Sequence, residues 1–401
     1  MKRVLVYAVC DYFSLPNGGE VMLLNNFLSA NKSEMIEYYL VGMSFNESDK
    51  VGKWSDKKIG NLVYKFLPVS QVLADKEKTQ VPFRLRMVYG IRKYWKKIEK
   101  INADYHYIHS AELAIPFWRK NIRCVYHVHG DPCQTLRISR FPIFRIQLFT
   151  DCYWKIISRT IEKSNRVIWA ADRSKELYLE QQPKMKEIVN KKSITIHSSF
   201  DTKLVVDEDS IPILSNRKHL VTVGRISRVK RMDFLVDVAY KLIEEGFDID
   251  ILICGDGEEK DALEEKAKYL GISDRVVFLG LLNRVQIATV LKYSDVFVFA
   301  SENEAMSLVV LESLYMGVPV VSTDVGDISY VIKDGKTGYI VDGYDAKLLY
   351  AVRIFSCHRC VIQRVRFRCL FCKLCDFFRS ITFHLQYCIC NMKKSTTTPC
   401  N

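Results

Sequence analysis

No stretch of this 401-residue chain approaches the run of roughly 18 apolar residues that a membrane-spanning helix needs. The first residues are expected to be a strand rather than a secretory leader. Met1 to Val9 carries two cations and an apolar run, but Asp11 ends it and no small-residue cleavage site follows, so a buried first strand is expected there. Cysteine is scarce up to residue 350, where only Cys10, Cys124, Cys133, Cys152 and Cys254 occur. Five scattered thiols cannot build a disulfide framework and suit a reducing compartment, so the expected location is cytoplasmic. Acid is what the end of the chain lacks. Residues 351–401 hold nine Lys and Arg against the single acid Asp376, a charge of +8 within the chain's +13. The basic balance is therefore local, and it argues against a nucleic-acid binder.

Several chemical signatures are also incomplete. GDGEEK at Gly255 lacks the third glycine of a dinucleotide fingerprint, and GKT at Gly335–Thr337 has Tyr330 where a P-loop needs its first glycine. Asp248-Ile249-Asp250 has the form of a metal-binding pair of aspartates, but it enters a buried strand rather than leaving one and reads as a strand cap. The tail has eight cysteines from Cys357 onward, with Cys357 and Cys360 followed by Cys369, Cys372 and Cys375. That spacing suggests zinc, but eight residues between the pairs is short for a two-knuckle loop. The tail reads instead as foreign to the rest of the chain, as a shifted reading frame would produce.

What is present is an alternation of apolar runs and amphipathic segments, with 48% hydrophobic residues over a length that allows two domains. The runs rich in Val, Ile and Tyr predict strands at Arg3–Val9, Tyr38–Gly42, Val63–Leu67, Tyr105–Ile108, Cys124–Val128, Val167–Ala170 and Ile194–Ile196. A polar stretch over 201–218 reads as a linker. Strands then recur at Leu220–Val223, Ile249–Cys254, Val276–Leu279, Val296–Phe299 and Val318–Ser322, alternating with helices. The expected fold class is α/β, with two Rossmann-like domains (1–200 and 219–349) facing each other across a cleft, and an atypical tail over 350–401.

The densest chemistry lies in Ala300 to Gly326, ASENEAMSLVVLESLYMGVPVVSTDVG. A strand runs into a polar turn and then into a helix expected to carry Glu304 at its start and Glu312 two turns along. Eight helical positions span about 12 Å, comparable to the separation of the sugar and ribose ends of a nucleotide diphosphate sugar. Carboxylates accept paired hydrogen bonds from vicinal hydroxyls, which both ends offer. Between them the backbone amides of Met306, Ser307, Leu308 and Val309 open the helix, and its positive end suits a diphosphate. Arg225 and Lys230 follow a strand in the turn GRISRVK and can neutralise a departing diphosphate, with Arg228 and Arg231 as competitors for the role. Gly18 and Gly19 lie between the first strand and first helix, where paired glycines let the backbone approach a ligand or simply turn. His127 and His129 close the strand CVYHVHG on one face, as core or as functional residues.

Taken in order, Gly18–Gly19–Glu20, ITIHSSFD, VGRISRVKRMD, CGDGEE, VVFLG and SDVFVFASENEAMSLVVLESLYMGVPVVSTDVGDISYVI resemble the retaining glycosyltransferases of family 4. The resemblance covers residues 1–345 and is densest from Leu220 onward. It implies the GT-B fold and transfer of a sugar from a nucleotide diphosphate donor to an acceptor hydroxyl with retention, without a metal or other cofactor. By position, Glu304 and Glu312 match the two ends of the family's E-x7-E motif, near the donor sugar and the ribose. Arg225 and Lys230 match the pair at the diphosphate, Gly19 the loop near the donor phosphates, and His129 the histidine near sugar and acceptor. Ser198–Ser199 stand where the family has Asn-Gly, and Arg231 where it has Gly.

The segment Phe83 to Ile101 is basic and amphipathic with Trp and Tyr, and Arg137–Tyr153 adds Arg and Phe, which together suggest contact with anionic lipid headgroups. A lipid-linked glycan in surface-polysaccharide assembly is then the expected acceptor, and a peripheral place on the inner face of the cell membrane the expected site. Two other readings stay open: a nucleotide-sugar epimerase or other GT-B enzyme without a saccharide acceptor, and an inactive product ended by its tail.

Overall fold

The computed structural model describes residues 1–13, 19–31, 35–72, 82–132, 146–197, 204–212, 215–343 and 352. Gly18, Ser198–Ser199 and the tail from 353 onward lie outside the described residues. The chain divides into two compact units at Ser199/Phe200.

The first unit is built on an eight-stranded sheet. Its strands are β1 (Lys2–Tyr7), β2 (Ile36–Ser44), β3 (Ser55–Ile59), β4 (Leu62–Gln71), β5 (Tyr105–Ile108), β6 (Cys124–Val128), β7 (Arg166–Trp169) and β8 (Ser193–Thr195). They lie in the order β3-β4-β2-β1-β5-β6-β7-β8. Every described pairing is parallel except β3 with β4, a hairpin absent from the sequence expectation. Alternation along β1 sorts the core into two layers. Leu5 and Tyr7 pack with Met87, Ile91, Ile98, Tyr153, Trp154 and Ile157. Val4, Val6 and Ala8 pack on the other face with Leu24, Phe27 and Leu28 of the helix Gly19–Ser29. Side chains on a strand point alternately to opposite faces, so a continuous apolar run serves both layers at once.

The basic amphipathic segment Phe83–Ile101 folds as two helices, Phe83–Lys93 and Trp95–Glu99, separated at Tyr94. Their apolar face, with Met87, Val88, Ile91 and Ile98, is buried in the unit's own core. Phe83, Leu85 and Tyr89 remain exposed, beside the exposed cations Arg92, Lys93, Lys96, Lys97 and Lys100.

The second unit holds a six-stranded, wholly parallel sheet of β9 (Lys218–Val223), β10 (Ile249–Cys254), β11 (Val276–Gly280), β12 (Val296–Phe299), β13 (Val320–Thr323) and β14 (Gly338–Val341). Their order is β11-β10-β9-β12-β13-β14. In sequence terms this is 3-2-1-4-5-6, the doubly wound order in which the winding reverses between β9 and β12. Crossovers on the two sides of that point run to opposite faces, and in sheets of this kind ligands bind at the carboxyl edge of that point.

The helix Met232–Glu244 covers one face of this sheet with Leu235, Val236, Ala239 and Leu242, packed on Ile249, Ile251, Ile253 and Val298. Leu235→Ala leaves a cavity under this helix and is expected to cost about 2–5 kcal/mol. Urea unfolding followed through the second unit's transition checks the value; a loss below roughly 1 kcal/mol would mean that the helix is not held by this layer.

Candidate functional site

The reversal point of the second sheet carries the residues singled out by sequence. The loop after β9 turns through Arg228–Lys230 as a single 3-10 turn and ends at Arg231, whose φ of 47° is left-handed. A glycine would hold that conformation without strain. Arg231 is instead held by Asp233 and Glu302, each at 3.1 Å, so it is a brace between the β9 and β12 loops and not a rival to Lys230.

The β12 loop, residues 300–307, is tied on several sides. Glu302 N–H donates to the Val229 carbonyl at 2.8 Å, Thr323 Oγ1 to the Ser301 carbonyl at 2.8 Å, and Asp327 N–H to the Ala305 carbonyl at 2.9 Å. Gly326, at φ +55°, backs directly onto the loop; a Cβ there would sit 2.1 Å from the Ala305 carbonyl oxygen. On this frame Lys230 Nζ meets Glu304 Oε2 at 2.5 Å, with both side chains about three-quarters buried. The ammonium also lies 5.0 Å from the centroid of Phe299. Arg225 is not drawn into the pair. It is exposed and lies 3.9 Å from Glu258.

Glu304 is not on the helix, which runs from Leu308 to Tyr315 with Ser307 as its N-cap. Ser301 Oγ accepts from Asn303 N–H and donates to the Asn303 carbonyl, a local turn that competes with helix. The 12 Å helical spacing therefore does not describe Glu304 and Glu312. Met306 and Ser307 are buried, and Leu308 and Val309 stand half-buried at the helix start. The Ser307 side chain makes no capping bond, which leaves the first-turn amides to an anion. Glu312 lies inside the helix, 5% exposed, with Arg284 Nε at 3.9 Å from its carboxylate. Burial pushes its pKa up to about 7, against the opposing pull of Arg284. Arg284, from the helix Arg284–Lys292, went unnoticed in the sequence because only the fold brings it to Glu312.

Asp248 and Asp250 are engaged by arginines: Arg217 and Arg275 at Asp248, and Arg217 at Asp250. In the first unit the helix opening at Gly19 places Glu20 in its first turn. Burial, opposed by Arg84 and assisted by Glu112, raises Glu20 to about 7; Arg84 itself pairs with Glu112 at 2.9 Å. His129 follows β6 and stacks on His127 at 4.1 Å between ring centroids. Its pKa falls to about 3 through burial, so the ring is neutral.

With this geometry in view, residues 207–352 match the family model described as glycosyl transferases group 1. Among curated proteins, N-acetyl-alpha-D-glucosaminyl L-malate synthase of Bacillus anthracis is 34% identical over 38% of this chain and 41% of its own length. D-inositol 3-phosphate glycosyltransferase of Corynebacterium urealyticum is 38% identical over 31% of each. The match thus spans less than half the length of these relatives. Among solved structures, sucrose-phosphate synthase from Thermosynechococcus elongatus superposes with a TM-score of 0.74 at 15% identity, covering 97% of this chain and 98% of that one. Anabaena HepE in complex with UDP gives 0.67 at 16% identity, covering 98% and 100%. The fold is GT-B, with two Rossmann-like units, and the similarities support a glycosyltransferase.

Two outcomes follow from the site's physics. Glu312 titrates near 7 in the folded chain against 4.5 for an ordinary carboxyl. The native state therefore binds more protons than the unfolded one between those values, and this group's contribution to stability falls as pH rises through that window. Glu312→Gln is expected to gain thermal stability relative to the parent as pH goes from 5 to 8, read as the difference in melting temperature; a pH-independent difference would refute the burial argument. Gly326→Ala forces a Cβ into the Ala305 carbonyl in a left-handed conformation and should destabilise by more than about 1 kcal/mol in denaturant titration.

Proposed function

We propose that the chain transfers a sugar from a nucleotide diphosphate sugar to an acceptor hydroxyl with retention of anomeric configuration, as a family 4 enzyme. The observation that carries this reading is the Lys230–Glu304 ion pair at the sheet's reversal point, beside the start of the helix that holds the buried Glu312. In the reaction the bond between C1 and the diphosphate oxygen breaks and its electron pair leaves with the diphosphate. The acceptor oxygen bonds to C1 and passes its proton to the departing oxygen. Lys230, Arg225 and the amides from Met306 to Val309 offset the charge that develops on the diphosphate. Glu304 faces the donor sugar hydroxyls and Glu312 the ribose. Neutralisation by Lys230 and amides takes the place of a divalent cation, so no metal or other cofactor is needed.

The test is donor consumption with UDP- and GDP-linked sugars, with and without lipid extract and in EDTA, with the product's anomeric configuration read by NMR. Lys230→Ala is expected to lower turnover about 10²–10³-fold, the scale for one preorganised electrostatic group. Equal consumption without an acceptor would favour an epimerase-like enzyme, and no turnover with any donor would favour an inactive chain.

We also propose a lipid-linked glycan as acceptor, in polysaccharide assembly on the cytoplasmic face of the membrane. Among the described residues no helix is long and apolar enough to cross a membrane. Leu85 and Tyr89 stand exposed among cations, and Ile146, Leu148 and Phe149, at the start of the helix Gln147–Lys163, are exposed as well. Reversing Lys96 and Lys97 to Glu should weaken sedimentation with anionic vesicles at least tenfold, because each basic residue at such a surface contributes about 1 kcal/mol. Unchanged sedimentation would rule this surface out.

A further inference from the structure

The first sheet has a reversal point of its own. From β1 the chain winds to β2 and β4 on one side, and from β5 through β6, β7 and β8 on the other, while β1 and β5 lie side by side and parallel. The helix after β1, Gly19–Ser29, packs on the face of Val4, Val6 and Ala8. The helix Phe83–Lys93 and the 3-10 segment Ala111–Phe117, which follows β5, pack on the face of Leu5 and Tyr7. Layers on opposite faces can meet only past the edge of the sheet. Here they meet through three charged residues that feel one another: Glu20 in the first turn of Gly19–Ser29, Arg84 at the start of Phe83–Lys93, and Glu112 at the start of Ala111–Phe117. Arg84 Nη1 donates to Glu112 Oε1 at 2.9 Å. Glu20 is the carboxylate left over. Among the described residues its Oε1 is shielded from solvent and has no hydrogen-bond partner. Buried polar atoms are nearly always paired, so an open acceptor at the carboxyl edge of a reversal point calls for a donor from a ligand.

We propose that Glu20, with Arg84 and Glu112, forms a binding site in the first unit for an uncharged, hydroxyl-bearing sugar, and that the site selects against sugars carrying a carboxylate or phosphate. The sugar is the acceptor of the transfer proposed above, so its role rests on that reading, although its binding does not. A carboxylate oxygen only accepts hydrogen bonds, and a hydroxyl supplies one without adding charge. Arg84 is not open to an incoming anion, because Glu112 already holds it and Glu20 lies in its field. An anionic group would set a third negative charge against one guanidinium, beside an oxygen that solvent does not reach. The raised pKa of Glu20, driven first by burial, is the mark of a carboxylate short of hydrogen bonds. The two reversal points thus differ in kind. In the second unit a lysine and the first-turn amides of a helix suit phosphate, and in the first unit a surplus carboxylate suits hydroxyls.

The experiment measures binding of methyl glucoside and methyl galactoside to the full chain at pH 8, each beside its 6-carboxylate (the matching uronide), by saturation-transfer NMR. The expected result is that a neutral glycoside binds the parent at least tenfold more tightly than its uronide, on the scale of one uncompensated charge contact. Glu20→Gln keeps the shape and an accepting oxygen but removes the charge, and should bring that ratio below about threefold while the neutral glycoside still binds. Glu20→Met removes the acceptor and should weaken the neutral glycoside at least about fivefold. If Glu20→Met does not fold, the ratio in the near-isosteric Glu20→Gln decides. A parent that binds neither neutral glycoside, or a ratio equal in the parent and Glu20→Gln, would overturn the site. Donor consumption is followed separately, which keeps the two readings apart. Glycoside binding through Glu20 without turnover of any donor would sink the transfer alone, and turnover with an unchanged ratio would sink this site alone.

Discussion

β9 and β12 lie side by side and parallel, but the chain winds away from them in opposite directions. The connections leaving β9 and β12 run to opposite faces, and over the carboxyl edge the loops Gly224–Arg231 and Ala300–Ser307 are tied together, Glu302 N–H donating to the Val229 carbonyl at 2.8 Å. Lys230 and Glu304 come from these two loops and meet there. They are 74 residues apart in sequence and share no helix or strand. What brings them together is sheet order alone, which is set by which apolar runs pair. The core of the second unit is therefore also the positioning device for its charges.

The frame around that pair is made of backbone. Carbonyls of Val229, Ser301 and Ala305 each accept a bond from a neighbouring loop or strand, and Gly326 lies against the last of them. Bonds of this kind fix the loop whatever the charged side chains do. Glu312 is the opposite case. Its carboxylate is buried in a helix with Arg284 3.9 Å away, and an ionised group there costs roughly 3 kcal/mol relative to water, from a pKa near 7 against 4.5. Under the proposed function a ribose diol is the partner that offsets this cost.

The doubly wound architecture was legible because parallel strands buried on both faces read as unbroken runs of Val, Ile and Phe, and the helices between them keep their period. The β3–β4 hairpin was missed because SDKKI is polar on both sides, although Gly60–Asn61 between Ile59 and Leu62 is a two-residue turn signal. The motif around Glu304 was visible, but its helix was begun too early, since the serine turn that delays it competes locally and leaves no mark on periodicity. Arg284 and Arg84 leave no mark on the sequence pattern. Each acquires its role only from a carboxylate far along the chain that the fold brings close.

Because Lys230 already holds a carboxylate, the site at the reversal point is not an open socket. Occupying it is an ion exchange: an arriving anion must take Lys230 from Glu304, and the released carboxylate must find hydroxyls or water. A ligand with phosphate but no sugar satisfies only the first half, and one with sugar but no phosphate only the second. Under the proposed function the pair acts as a coincidence gate, favouring a molecule that carries both groups at the right distance over either group alone.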